Sequence, residues 1–360
     1  MASNKKVCIK DIAAEAGVST ATVSYVLNRV EKKSISADTR DRIFAAAKRL
    51  NYVPNEAARL LRTGATKCIS VRLTNTLSVP RFHSMLEGIR DCLSEHGYTM
   101  LISDDSRAGT TSKYIEACLS AKADGILYIS TGQRDIPDDE LECICRYGIP
   151  VSAVDCTANA PLFSSTIYDY YSCSARRVAM LHQNGVRRLL YLTPVIQRVG
   201  RDQRLHGLHD AATQYGMQYE IERFPLTAQR ENSRSVLSNV ERILRGHSFD
   251  IQNVDSLQFQ LEPDGIASLK EIVFSATADT GILSSARSFQ YLINDFLYKK
   301  HLLGINQGQL PWHALSVSYA FPHYNIGYEA AQSLVDTLEG RPPRNLSFQA
   351  HIIPIDPKIY

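Results

Sequence analysis

No run of eighteen or more apolar residues occurs anywhere in the 360 residues, so a bilayer-crossing helix is not expected. The opening MASNKKVCIK has no apolar segment of the secretory type, and export is not expected either. The eight cysteines never fall as C-x-x-C; Cys143 and Cys145 form a lone C-x-C, and free thiols in a reducing cytoplasm are the expectation. G-x-x-x-x-G-K-[ST], G-x-S-x-G and H-E-x-x-H are all missing, and the ten histidines are dispersed. His206 and His209 are three residues apart on one helix face, with no third ligand type beside them. Neither enzyme chemistry nor a cofactor or metal is expected. A large excess of one charge is lacking too, since 40 Lys and Arg face 37 Asp and Glu. The small excess is unevenly placed. Residues 1 to 66 carry 12 basic against 6 acidic side chains, net +6, and the remainder carries 28 against 31, net −3. A small basic module beside a larger acidic body is the footprint of a chain that meets phosphates at one end.

What is present begins with GVSTATVSYVLN, residues 17 to 28. At about 100° per residue, Thr20, Ala21, Ser24, Tyr25 and Asn28 share one arc while Val23, Val26 and Leu27 share the opposite one. Ser19 stands at the N-cap, so the helix starts at Thr20. Upstream, Ile9, Ile12, Ala13 and Ala16 make a second helical stripe that ends at Gly17, suited to a left-handed C′ position. Two short helices joined by a Gly-containing turn are a helix-turn-helix. A third helix is capped at Ser36-Ala37-Asp38-Thr39 and repeats Ile43, Phe44, Ala47 and Leu50. The expected core is Ile12, Val18, Val23, Leu27, Ile43 and Phe44.

Pro54 stops the third helix, Asn55 can cap another and Gly64 can end it. About eight helical residues are fewer than the roughly 12 to 15 that stand alone in water. Leu60 and Leu61 therefore either dock on a domain core or order on DNA, paired with a second copy and wedged into the minor groove.

From residue 67 β-branched runs alternate with amphipathic helices: strand 68 to 73, helix 82 to 96, strand 98 to 102, helix 111 to 121, strand 125 to 129, helix 138 to 147 and strand 150 to 154. The rhythm recurs as helix 170 to 184, strand 188 to 192, helix 204 to 215, strand 219 to 224, helix 232 to 245, strand 272 to 275 and helix 282 to 299. This predicts two doubly wound parallel-sheet lobes with a ligand cleft at the carboxyl ends of their strands. Asp155 and Asp104 end strands there, and Phe82 opens the first helix. Each has an alternative role, the carboxylates as helix N-caps, Phe82 as core, and Arg204 as a surface partner of Asp202.

IKDIAAEAGVSTATVSYVLN and ISADTRDRIFAAAKRLNYVPNEAARLLRTG resemble the DNA-binding headpiece and hinge of the lactose/galactose-repressor (LacI/GalR) family of bacterial transcriptional regulators. KADGILYIS, IPVSAVD, RRLLYLTP and QRLHGL resemble its effector domain, which is similar to type I periplasmic sugar-binding proteins. The resemblance implies an all-α helix-turn-helix domain over 1 to 53, a hinge over 54 to 66 and an α/β effector and dimerisation core over 67 to 360. The first lobe would hold about 67 to 167 plus 320 to 344, and the second about 168 to 319 plus 345 to 360. Thr20, Ala21 and Tyr25 would face bases, and Ser19, Thr22, Ser24 and Asn28 phosphates. Leu61 would be the wedge, with Asn55 and Arg59 beside it among the DNA contacts. Tyr25 stands where the family commonly has Arg or His, so a hydroxyl and ring replace a bidentate guanidinium. Phe82 would stack on the effector, Asp155 and Arg204 would hydrogen-bond it, and Asp104 and Asp279 would supply further strand-end acids. The implied protein is a cytoplasmic, homodimeric repressor of a carbohydrate-utilisation operon. It would bind a pseudo-palindromic duplex and a sugar-like effector, with further association of dimers open. The alternative is a regulator with a degenerate cleft controlled by a protein partner.

Overall fold

A computed structural model describes residues 7–27, 35–52, 64–73, 80–103, 107–108, 111–130, 136–194, 203–224, 263–285, 287–305 and 308–358. The chain divides into two compact units, Met1–Thr66 and Lys67–Tyr360.

In the first unit, α1 spans Ile9–Ala16, α2 Thr20–Leu27 and α3 Ala37–Arg49. The starts of all three helices and the end of α1 have local hydrogen-bond partners. The Cys8 amide donates to Asp11 Oδ2 at 2.7 Å. Gly17 closes α1 at φ +67°, a left-handed turn that glycine takes without a Cβ clash. Ser19 Oγ accepts the Thr22 amide at 3.1 Å, and Ser36 Oγ the Thr39 amide at 3.3 Å. Ile12, Val23 and Ile43, one from each helix, are fully buried and form the centre of the core. Phe44, expected in that core, is 47% exposed. The buried stripe of α3 runs through Ile43 and Ala46, with Ala47 and Leu50 packed at its edge. One residue past Ile43 turns the side chain about 100° away from it. Arg49 pairs with Glu15, tying the end of α3 to α1.

The second unit is built on a six-stranded parallel sheet in the order β12-β7-β6-β5-β1-β2. Its strands are β1 Cys68–Leu73, β2 Thr99–Ser103, β5 Gly125–Ile129, β6 Val151–Val154, β7 Phe163–Tyr168 and β12 Asn345–Phe348. A two-residue ribbon, β3 Arg107–Ala108 with β4 Thr111–Ser112, lies outside it. Helices α4 Pro80–Glu95 and α11 His323–Leu338 pack on each other beside a core that includes Ile69, Val71, Leu127 and Leu334. Helices α5 Lys113–Leu119 and α6 Asp138–Tyr147 supply Tyr114, Ile115 and Ile144 to a separate core with Ile126 and Tyr128. Alternate residues of β5 thus enter opposite cores, which is why its five residues are all buried.

The second lobe has the parallel sheet β10-β8-β9, formed by β8 Arg188–Pro194, β9 Gln218–Phe224 and β10 Thr280–Ser284. Its helices are α7 Tyr170–Gln183, α8 Gln203–Gln214, α9 Pro263–Ser275 and α10 Arg287–Leu302. An antiparallel pair, β11 Val317–Ala320 and β13 His351–Pro354, completes it. Three expectations are corrected here. Residues 272–275 end α9 and are not a strand, so the strand comes later, at Thr280–Ser284, and α10 starts at Arg287. Residues 345–348 belong to the first sheet, Asn345 lying opposite Ser165, and the return to the second lobe comes at β13. Strand β7 was not foreseen. The expected helix over 232–245 lies outside the described residues. Among the described residues no helix is long and apolar enough to cross a membrane.

Candidate DNA-reading face and interlobe cleft

The face of α2 opposite Val23 and Val26 carries Thr20, Ala21 and Tyr25, all exposed, with Tyr25 at 37%. Ser19 is exposed, and Thr22 and Ser24 are half-buried at the edge of that face. Ser19 Oγ and Thr22 Oγ1 lie 2.9 Å apart, so the two hydroxyls form one unit at the start of the helix. A helix N-terminus bearing hydroxyls presents amides and a positive dipole end to an anion. Asn28, Asn55, Arg59 and Leu61 lie outside the described residues.

In the second unit, the chain crosses between lobes at Asp169, at Phe321-Pro322 and at Gln349-Ala350, each between a strand of one lobe and an element of the other. The aromatic residues flanking the first two crossings meet. Tyr168 and Tyr170 stack with ring centroids 5.4 Å apart, and Phe321 meets both edge-on, at 4.8 and 5.6 Å. Tyr168 and His323 are joined by a 3.3 Å hydrogen bond between the hydroxyl and Nδ1. This aromatic floor carries the polar groups. Asp155 follows the last residue of β6 in a left-handed conformation, φ +59°, which Asp tolerates better than most residues. Tyr170 donates its hydroxyl proton to Asp155 Oδ2 at 3.0 Å. The Arg204 guanidinium, from the first turn of α8, lies 3.6 Å from the centroid of the same ring. One tyrosine therefore links the acid of the first lobe to the cation of the second. Burial, then the Asp155 carboxylate, holds the Tyr170 phenol well above its ordinary range, and Arg204 pulls the other way.

The second-lobe wall ends at Ser284-Ser285. Ser285 Oγ and Thr193 Oγ1 lie 2.9 Å apart, and Tyr319 donates its hydroxyl to the Ser285 carbonyl at 3.1 Å. Behind them Arg177, 1% exposed, donates to the Ser284 carbonyl at 2.8 Å and the Val317 carbonyl at 3.1 Å, and bonds the Gln290 side chain. Gln290 Oε1 in turn accepts the Ser284 amide at 2.8 Å. This wall is held by buried bonds and presents hydroxyls.

Two expected effector contacts are corrected. Asp279 precedes Thr280, the first residue of β10, and so sits at the amino end of a parallel sheet whose carboxyl ends face the cleft. Phe82 is 1% exposed and packs with Met85 and Ile89, so its ring has no open face. Its neighbour Arg81 covers it instead, with the guanidinium 4.7 Å from the ring centroid. Asp104 lies outside the described residues. Asp155 and Arg204 are brought together. Tyr170, Phe321 and Ser285 were missed; the only signal for the first was the aromatic cluster in YDYYSC, following an unrecognised strand. The arrangement can hydrogen-bond a small polar ligand over an aromatic floor.

A three-helix unit with an exposed polar helix face, joined to two parallel-sheet lobes linked by three crossings, defines the class of helix-turn-helix regulators that carry a periplasmic-binding-protein-like body. The family model for bacterial regulatory proteins of the lacI family matches residues 8–55, and that for periplasmic binding proteins and sugar binding domain of the LacI family matches residues 69–251. The chain belongs to the LacI family. It is 29% identical over 185 residues to the transcriptional regulator RegA of Clostridium saccharobutylicum, covering 51% of this chain and 54% of that one. It is 33% identical over 163 residues to the repressor PurR of Proteus mirabilis, covering 45% and 46%. The chain spans about half the length of these curated relatives. In fold it is similar to the Lac repressor dimer bound to operator and the anti-inducer ONPF, with a TM-score of 0.62 at 20% identity over 97% of this chain and 98% of that one.

Proposed function

We propose that the protein is a dimeric, sequence-specific DNA-binding repressor of a carbohydrate-utilisation operon, released or engaged by a small sugar-like effector in the interlobe cleft. The observation that carries this reading is α2, which buries Val23 and Val26 and turns Thr20, Ala21 and Tyr25 outward in a basic unit. Thr20, Ala21 and Tyr25 contact base edges, and Ser19, Thr22, Ser24 and Asn28 contact phosphates. Asn55, Arg59 and Leu61 act at the hinge. Ala21 offers a methyl to a thymine methyl, and Tyr25 a hydroxyl and a ring face. Two-fold symmetry follows because one small reader contacts few base pairs, and paired half-sites multiply its affinity. In the cleft, Asp155 and Arg204 bind the effector over Tyr168, Tyr170 and Phe321. An effector that binds one lobe arrangement better than another changes DNA affinity by that difference.

The test is a selection from random duplexes with the full chain, followed by titration of a sugar panel against the selected duplex. The expected result is an enriched pseudo-palindrome whose complex responds to at least one sugar. Arg204→Ala should keep duplex binding and lose the response. No enrichment at moderate salt, from a chain that sediments as a monomer, overturns the proposal.

A further inference from the structure

A cavity of about 230 Å³ lies in the second lobe between α10, the turn before β10 and the segment 308–315. It is lined by Thr280 and Ile282 at the amino end of β10, whereas the cleft lies at the carboxyl end of that strand. Its walls are mixed: Leu310, Leu315, Ile305 and the ring of Trp312 form the apolar part, and Thr277, His301 and Gln309 the polar part. In the same wall stands Lys300, whose side chain belongs to a residue only 6% exposed. The Lys300 ammonium donates to the Val273 carbonyl at 3.2 Å and the Ala276 carbonyl at 2.6 Å, at the carboxyl end of α9. An ammonium has three donors, so one is left over, and no carboxylate is paired with Lys300 among the described residues. Burial alone pulls this group below the ordinary lysine range. The helix carboxyl end accounts for two of the three donors, and an anion in the cavity would complete the third. Asp279, which is exposed, stands in the turn beside Gly308, and no ion pair joins it to the ammonium among the described residues.

We propose that this cavity is a second ligand site, which takes a compact aromatic or cyclic monocarboxylate: the ring against Trp312 and the leucines, the carboxylate on the third donor of Lys300. The volume suits one six-membered ring with its acid group. The site is reached independently of the cleft reading.

The chain has one tryptophan, Trp312, so its emission reports on this wall and no other. Benzoate titrated into the full-length protein should give a saturable change in that emission, and benzyl alcohol, the same ring without the charge, a change at least tenfold weaker in affinity. Lys300→Met should abolish the benzoate response. Because that variant also strips a cap from α9, Ile305→Asp at the rim provides a second reading: it leaves both Lys300 bonds intact and should weaken benzoate several-fold through like charge. Equal affinity for benzoate and benzyl alcohol, a strictly linear unsaturable change, or an Ile305→Asp protein that binds benzoate as before would each overturn the proposal.

Discussion

A methyl group on Gly88 would lie 2.1 Å from the Tyr324 carbonyl oxygen, and one on Gly327 2.1 Å from that of Met85. Helices α4 and α11 therefore touch backbone to backbone, and neither partner atom can swing away as a side-chain tip could. Gly88→Ala should destabilise the second unit by about 1–3 kcal/mol through overpacking, read as a lower denaturant midpoint with an unchanged slope. Tyr170 makes a different kind of contact, a ring under Arg204 and a hydroxyl on Asp155. Tyr170→Phe keeps the ring and removes the donor, so it should cost about 1–2 kcal/mol. The sign of its pH dependence is set by the raised phenol. The unfolded chain ionises first, near the ordinary tyrosine value of 10.0, and stability falls as pH rises above that value. Tyr170→Phe should flatten this alkaline loss, as measured by chemical denaturation between neutral pH and the alkaline limit.

At the scale of elements, the caps decide where helices start. Ser36 Oγ holds the Thr39 amide, so Ser36→Ala should lower the stability of the first unit by about 1 kcal/mol, visible in its thermal midpoint. Those caps, with the 3.6-residue stripes behind them, made the starts of α1, α2 and α3 legible in sequence to within a residue, while α3 ends at Arg49, short of the expected stop at Pro54. Phe44 was misplaced because a stripe of Ile43, Ala47 and Leu50 leaves the adjacent residue ambiguous until the packing angle is known. Val273 and Phe274 read as a strand because a short apolar run has no periodicity of its own. They are the last turn of α9, and that slip of one element moved Asp279 from a strand's beginning to a supposed strand's end. The β7 and β12 strands were illegible for another reason. FSSTIY is half Ser and Thr, which masks a buried strand, and NLSF is partly exposed and pairs with β7, a partner far away in sequence. In the cleft, Asp155 and Arg204 were legible from strand and helix ends. The aromatic floor was not, because it exists only where two crossings separated by about 150 residues meet.

At the scale of the molecule, the charge is split: net +6 in residues 1–66 and net −3 in the rest. If the first unit reads a duplex, as proposed, long-range attraction falls on that unit, while the second unit is repelled. In the proposed dimer, each phosphate neutralised by a Lys or Arg would release counterions, and operator affinity would fall with salt at a log–log slope of about −0.9 per contact. Leu61 carries no charge. If it wedges into the minor groove, it contributes through unstacking and apolar contact, terms that release no counterion. Leu61→Ala should then lower operator affinity about tenfold or more while leaving the salt slope as it was, and should weaken binding to random-sequence duplex far less. A phosphate contact would behave in the opposite way, since its loss flattens the slope and weakens both duplexes alike. Fluorescence anisotropy over a salt series on both DNAs separates the two cases. Equal loss on operator and random duplex would place Leu61 in a domain core, leaving specificity to α2.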